Sequence, residues 1–367
     1  VAIGSTIPAI VAAHVAAHGS ETILRKKDRG IWKAVTWAEL GSHVQAIAAG
    51  LVASGFGPGQ VAAVLSQTRP EAAYASLAIL AVGGACVAVH PDEEAERVCE
   101  ILRSAQCRLL FVENEEQLDK ALTVRATCPS LQRIVIFDLK GLREFSDPGC
   151  VGLAAFRGSG APALAISADM PAILVFPSAG KSRLLTHGDV MHLLASAGGM
   201  LDVRPGDERL AVLPMSTLME HVLGLHLALM TRCISNYLES PETAVENLQE
   251  VQPTVFGADA EAWLRLHGRI ERASRAATRV QGALYRWAVV SQGGVLARVL
   301  VLNAVRRELG LHHLRIAYVC GAPVHPDVLV WASALGITIQ RIDGPTKRGV
   351  TVDARSRALM EEAYSAT

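Results

Sequence analysis

The chain has 367 residues, 50% hydrophobic and 19% charged, which excludes the high-charge, low-hydrophobicity signature of disorder and suffices for two compact lobes. Lys plus Arg (35) balances Asp plus Glu (35), so no global field draws in nucleic acid. The seven cysteines, at 86, 99, 107, 128, 150, 233 and 320, have no CxxC spacing, which argues against a disulfide framework or structural zinc and for reduced thiols in a cytoplasmic protein.

In chain order, no charged cluster followed by an apolar core and a cleavage site opens the sequence, so a signal peptide is not expected. Thr36 with Glu39 three residues on is a capping box for a helix over 37–54. Residues 61–65 read as a buried strand. Residues 72–89 carry no charge and raise the question of a membrane span. Gly83-Gly84 and the run from Ala85 to Val89 instead predict a buried helix, a turn and a buried strand. A helix follows Pro91 over 92–105, then strands at 109–112 and 134–137. Between Asp138 and Asp169 the pattern weakens into Gly, Pro, Ser and Ala, as a connecting segment does. Further strands are predicted at 172–176, 210–214, 254–256, 314–319 and 337–339. Strands alternating with helices predict α/β layers and largely parallel sheets.

Three segments are placed to carry chemistry. The first, Phe176-Pro177-Ser178-Ala179-Gly180-Lys181-Ser182, leads from a strand through a small-residue turn to a helix start at Thr186, which Asp189 caps. Backbone N–H groups in such a turn form a nest for phosphate oxygens, and Lys181 adds a point charge. It is not a Walker A loop, because the required glycine five residues before Gly180 is Val175. A plain strand-to-helix turn with a solvated lysine accounts for the same residues. The second, Gly321-Ala322-Pro323 after a strand, lets a flat ring approach the backbone; a structural tight turn is an equal account. The third, Ile342-Asp343-Gly344-Pro345-Thr346, has turn chemistry with a carboxylate and a hydroxyl.

Taken in order, these segments resemble the adenylate-forming superfamily. The stretches Ile31 to Leu40, Gly55 to Val61, Ala78 to Ala85, Leu213 to Glu220, Ser240 to Thr243 and Glu246 to Phe256 narrow the resemblance to long-chain fatty acid–CoA ligases. It implies two stacked α/β subdomains, at 1–165 and 166–346. The small C-terminal lid is missing or represented only by its end, at 347–367. It further implies that Ser178, Gly180, Lys181 and Thr186 contact the phosphates of ATP. Gly321, Ala322 and Pro323 would line the adenine pocket, with Asp343, Gly344 and Thr346 beside them. Lys181 and Glu220 are the implied catalytic residues. The run Val222 to Met230 is read as core, with the lining of an acyl tunnel as the alternative.

The sequence departs from the family pattern at several positions. Donors are missing between Ala179 and Lys181, Thr217 stands at a histidine position, Asp343 at an aromatic one, and Lys347 at the glutamate that binds Mg²⁺. A cation does not ligate Mg²⁺, and the metal ligands are left unassigned. The two short stretches, after Ala179 and after Thr346, are expected to mark a longer chain recorded only in part, since both fall where the family is most mobile. The resemblance implies ATP-dependent activation of a fatty acid to an acyl-adenylate and then an acyl-CoA, with ATP, Mg²⁺ and CoA as cofactors or co-substrates. The alternative is an inactive protein that keeps the fold to bind a nucleotide, an acyl group or a partner. No integral membrane segment is expected; peripheral membrane association is compatible with either.

Overall fold

The computed structural model describes residues 4–160, 164–177, 182–290, 301–346 and 349–352. It contains two compact α/β units that interleave along the chain. The first comprises the residues up to 26, 32–195 and 214–230; the second comprises 27–31, 196–213 and those from 231 on. The partition at residue 165 stays a reading of the sequence.

The elements up to residue 201 are α1 (Ile7–His18), β1 (Thr22–Asp28), β2 (Ile31–Thr36), α2 (Trp37–Ala53), β3 (Val61–Leu65), α3 (Pro70–Ala81), β4 (Ala85–Val89), α4 (Ala95–Ser104), β5 (Leu109–Val112), α5 (Glu115–Arg125), β6 (Arg133–Ile136), β7 (Cys150–Gly152), α6 (Leu153–Phe156), β8 (Pro171–Val175), β9 (Arg183–Thr186) and α7 (His187–Leu201). The sheet of the first unit has the order β7-β6-β5-β3-β4-β8-β9 and is parallel except for β8 and β9. Alternate strand residues Ala63, Leu65, Val87, Val89, Leu110 and Val112 pack with Val98, Ile101 and Leu102 of α4 and Leu118 of α5. Their neighbours Ala62, Val64, Cys86, Leu109 and Phe111 are buried as well. Both faces are covered, which is why these strands read as unbroken apolar runs without alternation. The capping box at Thr36 and Glu39 forms as expected. Residues 72–89 divide into α3, a turn at Gly83 (φ +74°) and β4; among the described residues no helix is long and apolar enough to cross a membrane.

The chain continues through β10 (Glu208–Ala211), a π-helical turn (Glu220–His226), α8 (Leu227–Thr231), β11 (Ile234–Tyr237), α9 (Ala244–Val251), β12 (Val255–Asp259), α10 (Ala260–Ala276), α11 (Arg279–Val290), α12 (Asn303–Glu308), β13 (Ile316–Cys320), α13 (Pro326–Ala334), β14 (Ile339–Thr346) and β15 (Gly349–Val352). The second sheet has the order β15-β14-β13-β12-β10-β11-β1-β2. Its strands from β11 to β14 are parallel, and β15 returns antiparallel on β14. Residues 27–31 join the second unit through side chains. Lys27 Nζ donates to Asn247 Oδ1 (2.8 Å) and Glu250 Oε2 (2.6 Å), and the Glu239 carboxylate accepts from the N–H of Arg29 (2.8 Å) and Gly30 (3.1 Å). The strand pattern had missed β1, β2, β7, β9 and β11: β1 carries Arg25, Lys26 and Lys27, and the others are short or partly exposed.

Gly310 closes α12 at φ +73°, and a Cβ there would stand 2.1 Å from the carbonyl oxygen of Leu248. Backbone cannot yield as a side chain tip does, so Gly310→Ala is expected to destabilise the fold by about 2–4 kcal/mol. Denaturant unfolding measures it, and an unchanged midpoint would contradict this packing of α12 on α9.

Candidate functional site

The segment expected to run from strand through turn to helix contains a second strand. β8 and β9 form an antiparallel hairpin with Val175 opposite Arg183, and the helix starts only after β9. Ser178, Gly180 and Lys181 lie in the hairpin connection, outside the described residues. Thr186 ends β9 and caps α7. Its Oγ1 accepts from Asp189 N (3.1 Å), while Asp189 Oδ2 accepts from Thr186 N (2.9 Å) and Oγ1 (3.0 Å). That reciprocal cap fixes the start of α7 at the end of β9 that pairs with Pro171, the far end of the hairpin from the connection, with the positive end of the helix dipole towards β9.

In the second unit the register of β13 and β14 brings two predicted segments together. Cys320 stands opposite Ile342 in parallel pairing, so Gly321-Ala322-Pro323 leaves β13 at the same sheet edge where Asp343 continues β14. Gly321 has φ +81°, and a Cβ on it would meet nothing within 4 Å. The position therefore needs glycine for its backbone conformation, and the space beside it is open. Gly321, Ala322 and Pro323 are exposed while Val324 is buried. The His325 side chain then accepts from Asp327 N (3.3 Å), with Pro326 at the first position of α13. Asp343 pairs with Thr351 and Thr346 with Gly349, with a register shift between Asp343 and Thr346. Gly344 lies within that irregular stretch. This is the carboxyl edge of parallel strands, where open α/β sheets bind ligands.

Glu220 belongs to the first unit and is 1% exposed, at the start of the π-helical turn. The carboxylate that the resemblance implies to be catalytic is thus fully buried. Its N–H donates to Thr217 Oγ1 (3.2 Å), and that hydroxyl donates to Pro214 O (2.8 Å). Thr217, at the family's histidine position, thus serves as a local helix cap. Gly224 makes room for the carboxylate: a Cβ there would stand 2.3 Å from Glu220 Cδ.

No sequence pattern announces the buried imidazoles around this turn. His187, His221 and His226 are at most 2% exposed. His221 and His226 are five residues apart, a spacing that diverges on an α-helix; the π-helical turn brings their rings to 5.1 Å. His221 Nε2 meets Ser76 Oγ at 2.8 Å, whereas neither ring nitrogen of His187 or His226 has a hydrogen-bond partner among the described residues. Burial pushes the pKa of His187 and of His221 down to about 4. Burial, reinforced by His221 and His187, holds His226 well below the usual range. A second charged group lies after β3, where Arg69 Nε donates to Glu71 Oε2 (2.8 Å), Lys26 Nζ donates to Glu71 Oε1 (2.7 Å), and Arg69 Nη1 donates to Glu113 Oε1 (3.2 Å). Burial opposes ionisation of Glu71, but Arg69 and Lys26 outweigh it and hold the pKa at about 2. Among the described residues no three His, Cys, Asp or Glu side chains come together as a metal site.

This arrangement of two α/β units can be set beside known proteins. The model of the AMP-binding enzyme family matches residues 11–362, and the chain belongs to that family. It is similar to the long-chain-fatty-acid–CoA ligase ACSBG2 of Rattus norvegicus, at 20% identity over 93% of this chain and 56% of that protein. It is also similar to the long-chain-fatty-acid–CoA ligase FadD15 of Mycobacterium tuberculosis, at 23% identity over 72% of this chain and 45% of that protein. The chain thus spans about half the length of these curated relatives. Among solved structures, the adenylation domain of a carboxylate reductase from Mycobacterium chelonae has a TM-score of 0.75 at 18% identity, covering 93% of this chain and 58% of that one. The anthranilate CoA ligase AuaEII in complex with anthranoyl-AMP gives 0.71 at 15%, covering 94% and 60%. These establish the fold: two α/β subdomains of the adenylate-forming N-terminal type.

The buried imidazoles set an acid limit on stability. Exposed histidine titrates near 6.5 and His187 and His221 near 4, so between those values the unfolded chain binds more protons. Their stability contribution is complete above about pH 6.5 and falls as pH drops towards 4. The contribution of Glu71 is lost lower, from 4.5 towards about 2. Melting temperature measured against pH should fall through the upper window in the native chain and less steeply in His187→Phe. Identical profiles would contradict a buried neutral His187.

Proposed function

We propose that this chain is the nucleotide-binding part of an ATP-dependent acyl-activating enzyme whose substrate is a long-chain fatty acid, converted to an acyl-adenylate and then to an acyl-CoA. The observation that carries the reading is the shared edge of β13 and β14, where the open turn Gly321-Ala322-Pro323 leaves beside Asp343, Gly344 and Thr346. Its exposed small residues fit the flat face of adenine, which stacks where no Cβ intervenes. Ligases among the similar proteins, in organisms as distant as a rat and a mycobacterium, support the acyl class.

In the first step a carboxylate oxygen of the acid attacks the α-phosphorus of ATP, the bond from that phosphorus to the bridging oxygen breaks, and pyrophosphate leaves. In the second, the sulfur of the CoA thiolate attacks the acyl carbon and AMP leaves. Neither step needs a covalent enzyme nucleophile; positioning and charge neutralisation suffice. Ser178, Gly180 and Lys181 in the β8–β9 connection would hold the phosphates, with Lys181 opposing the charge that grows on the leaving pyrophosphate. Thr186, whose hydroxyl proton goes to Asp189 Oδ2 and whose hairpin partner is Pro171, would keep the start of α7 in place. Glu220 is enclosed against Gly224, a placement that suits support of its own helical run. The described residues do not assemble a Mg²⁺ ligand set, and no step here is assigned to the metal.

Exchange of labelled pyrophosphate into ATP tests the first step. Exchange should depend on a long-chain fatty acid and fall about 10²-fold or more in Lys181→Ala, the usual effect of removing a preorganised charge-stabilising donor. Absence of exchange with acids of every chain length would replace this reading with that of a non-catalytic nucleotide- or acyl-binding protein.

A further inference from the structure

Helix α11 has an apolar face that the described residues of the second unit leave exposed. Its inward face is formed by Gly282, Tyr285 and Ala288. On the outward side Val280, Leu284 and Trp287 are 76%, 42% and 47% exposed, and with Ala283 and Arg279 they line a shallow depression. Positions 280, 283, 284 and 287 follow the spacing of a continuous stripe on one side of a helix. Isolated exposed apolar residues need no explanation; a stripe including tryptophan does.

The charges beside it have one sign. Residues 260–290 contain 6 arginines and only 2 glutamates. Both glutamates are engaged: Glu261 accepts from Arg265 (2.8 Å), and Glu271 accepts from the Tyr285 hydroxyl (3.1 Å). Arg272 and Arg275, in the last turns of α10, and Arg279 and Arg286, flanking the stripe on α11, are exposed. Among the described residues none of these four has an acidic partner within ion-pair distance. Over the whole chain the formal charge is zero, so this is a local basic field bordering an apolar surface.

We infer that α11 and the end of α10 dock on an anionic lipid surface, with Val280, Leu284 and Trp287 entering the boundary between headgroups and acyl chains. The arginines would meet lipid phosphates at the level of the headgroups. An interfacial helix of this kind needs an apolar side of moderate depth, an aromatic at the boundary and cations along the border, and α11 presents all three. An acidic protein surface would answer the same cations, but the depression is shallow and offers no deep pocket to seat a partner's side chain, which favours a lipid surface. The inference goes beyond the proposed reaction, and lipid binding is measured without turnover, so failure of either leaves the other standing.

Flotation of the 367-residue chain with phosphatidylcholine vesicles, with and without phosphatidylglycerol, tests it. Binding should require phosphatidylglycerol and weaken as salt is added. Arg279→Gln and Arg286→Gln should each lower affinity roughly fivefold, the value of one cation near an anionic surface. The double variant Leu284→Ser with Trp287→Ser should lower it tenfold or more. All four side chains are exposed, so unchanged thermal unfolding will verify that each variant is folded. Equal binding to neutral vesicles, retention of binding by the double variant, or no vesicle binding with self-association through this face in sedimentation would each overturn the inference.

Discussion

Parallel strand pairing is the constraint on which the candidate site depends. Two parallel neighbours cannot be joined by a tight turn, so each connection crosses back over a sheet face and the turns leaving the strands collect along their carboxyl edge. In the second unit the pairing of Cys320 with Ile342 turns this geometry into a site. It gives the Gly321–Pro323 turn and the Asp343–Thr346 stretch a common edge although nearly twenty residues and a helix separate them in sequence. The left-handed conformation of Gly321 keeps that edge free of side-chain carbon. Both sheets then depart from parallel pairing beside a segment of interest, at the β8–β9 hairpin and at β14–β15.

The first unit has a different balance. Its sheet is sealed on both faces by apolar packing, yet the helical run after Pro214 carries Glu220, His221 and His226 into full burial. A carboxylate and imidazoles in such surroundings are costly unless neutralised or paired. The imidazoles respond by remaining neutral, and the π-helical turn accommodates them with a residue inserted into the helical ladder. A sequence optimised for stability alone would fill these positions with leucine.

Much of the fold was legible because the parallel strands are buried on both sides and stand out as apolar runs between helices. The runs at 61–65, 85–89 and 109–112 match β3, β4 and β5, and the Thr36–Glu39 box marks the start of α2. Strands with one exposed side or a charged sequence escaped notice. Lys27 in β1 is buried against Asn247 and Glu250, partners more than two hundred residues away that no local pattern announces. β9 was hidden because four residues between a small-residue connection and a helix cap look like part of the turn. At the site, glycine and proline at 321–323 advertised a special backbone, whereas the imidazole cluster depends on a π-helical turn and on His187 arriving from another element. The apolar stripe of α11 was equally invisible, since period alone does not say which side of a helix meets the rest of the fold.

Amide hydrogen exchange with and without ATP and a long-chain fatty acid tests the central claim most directly, because it reads where the nucleotide sits and does not depend on turnover. The account predicts slowed exchange at 321–325 and 342–346, at the carboxyl edge of β13 and β14, and across 183–189 at the start of α7. Protection confined to other elements, or none at saturating nucleotide, would contradict it.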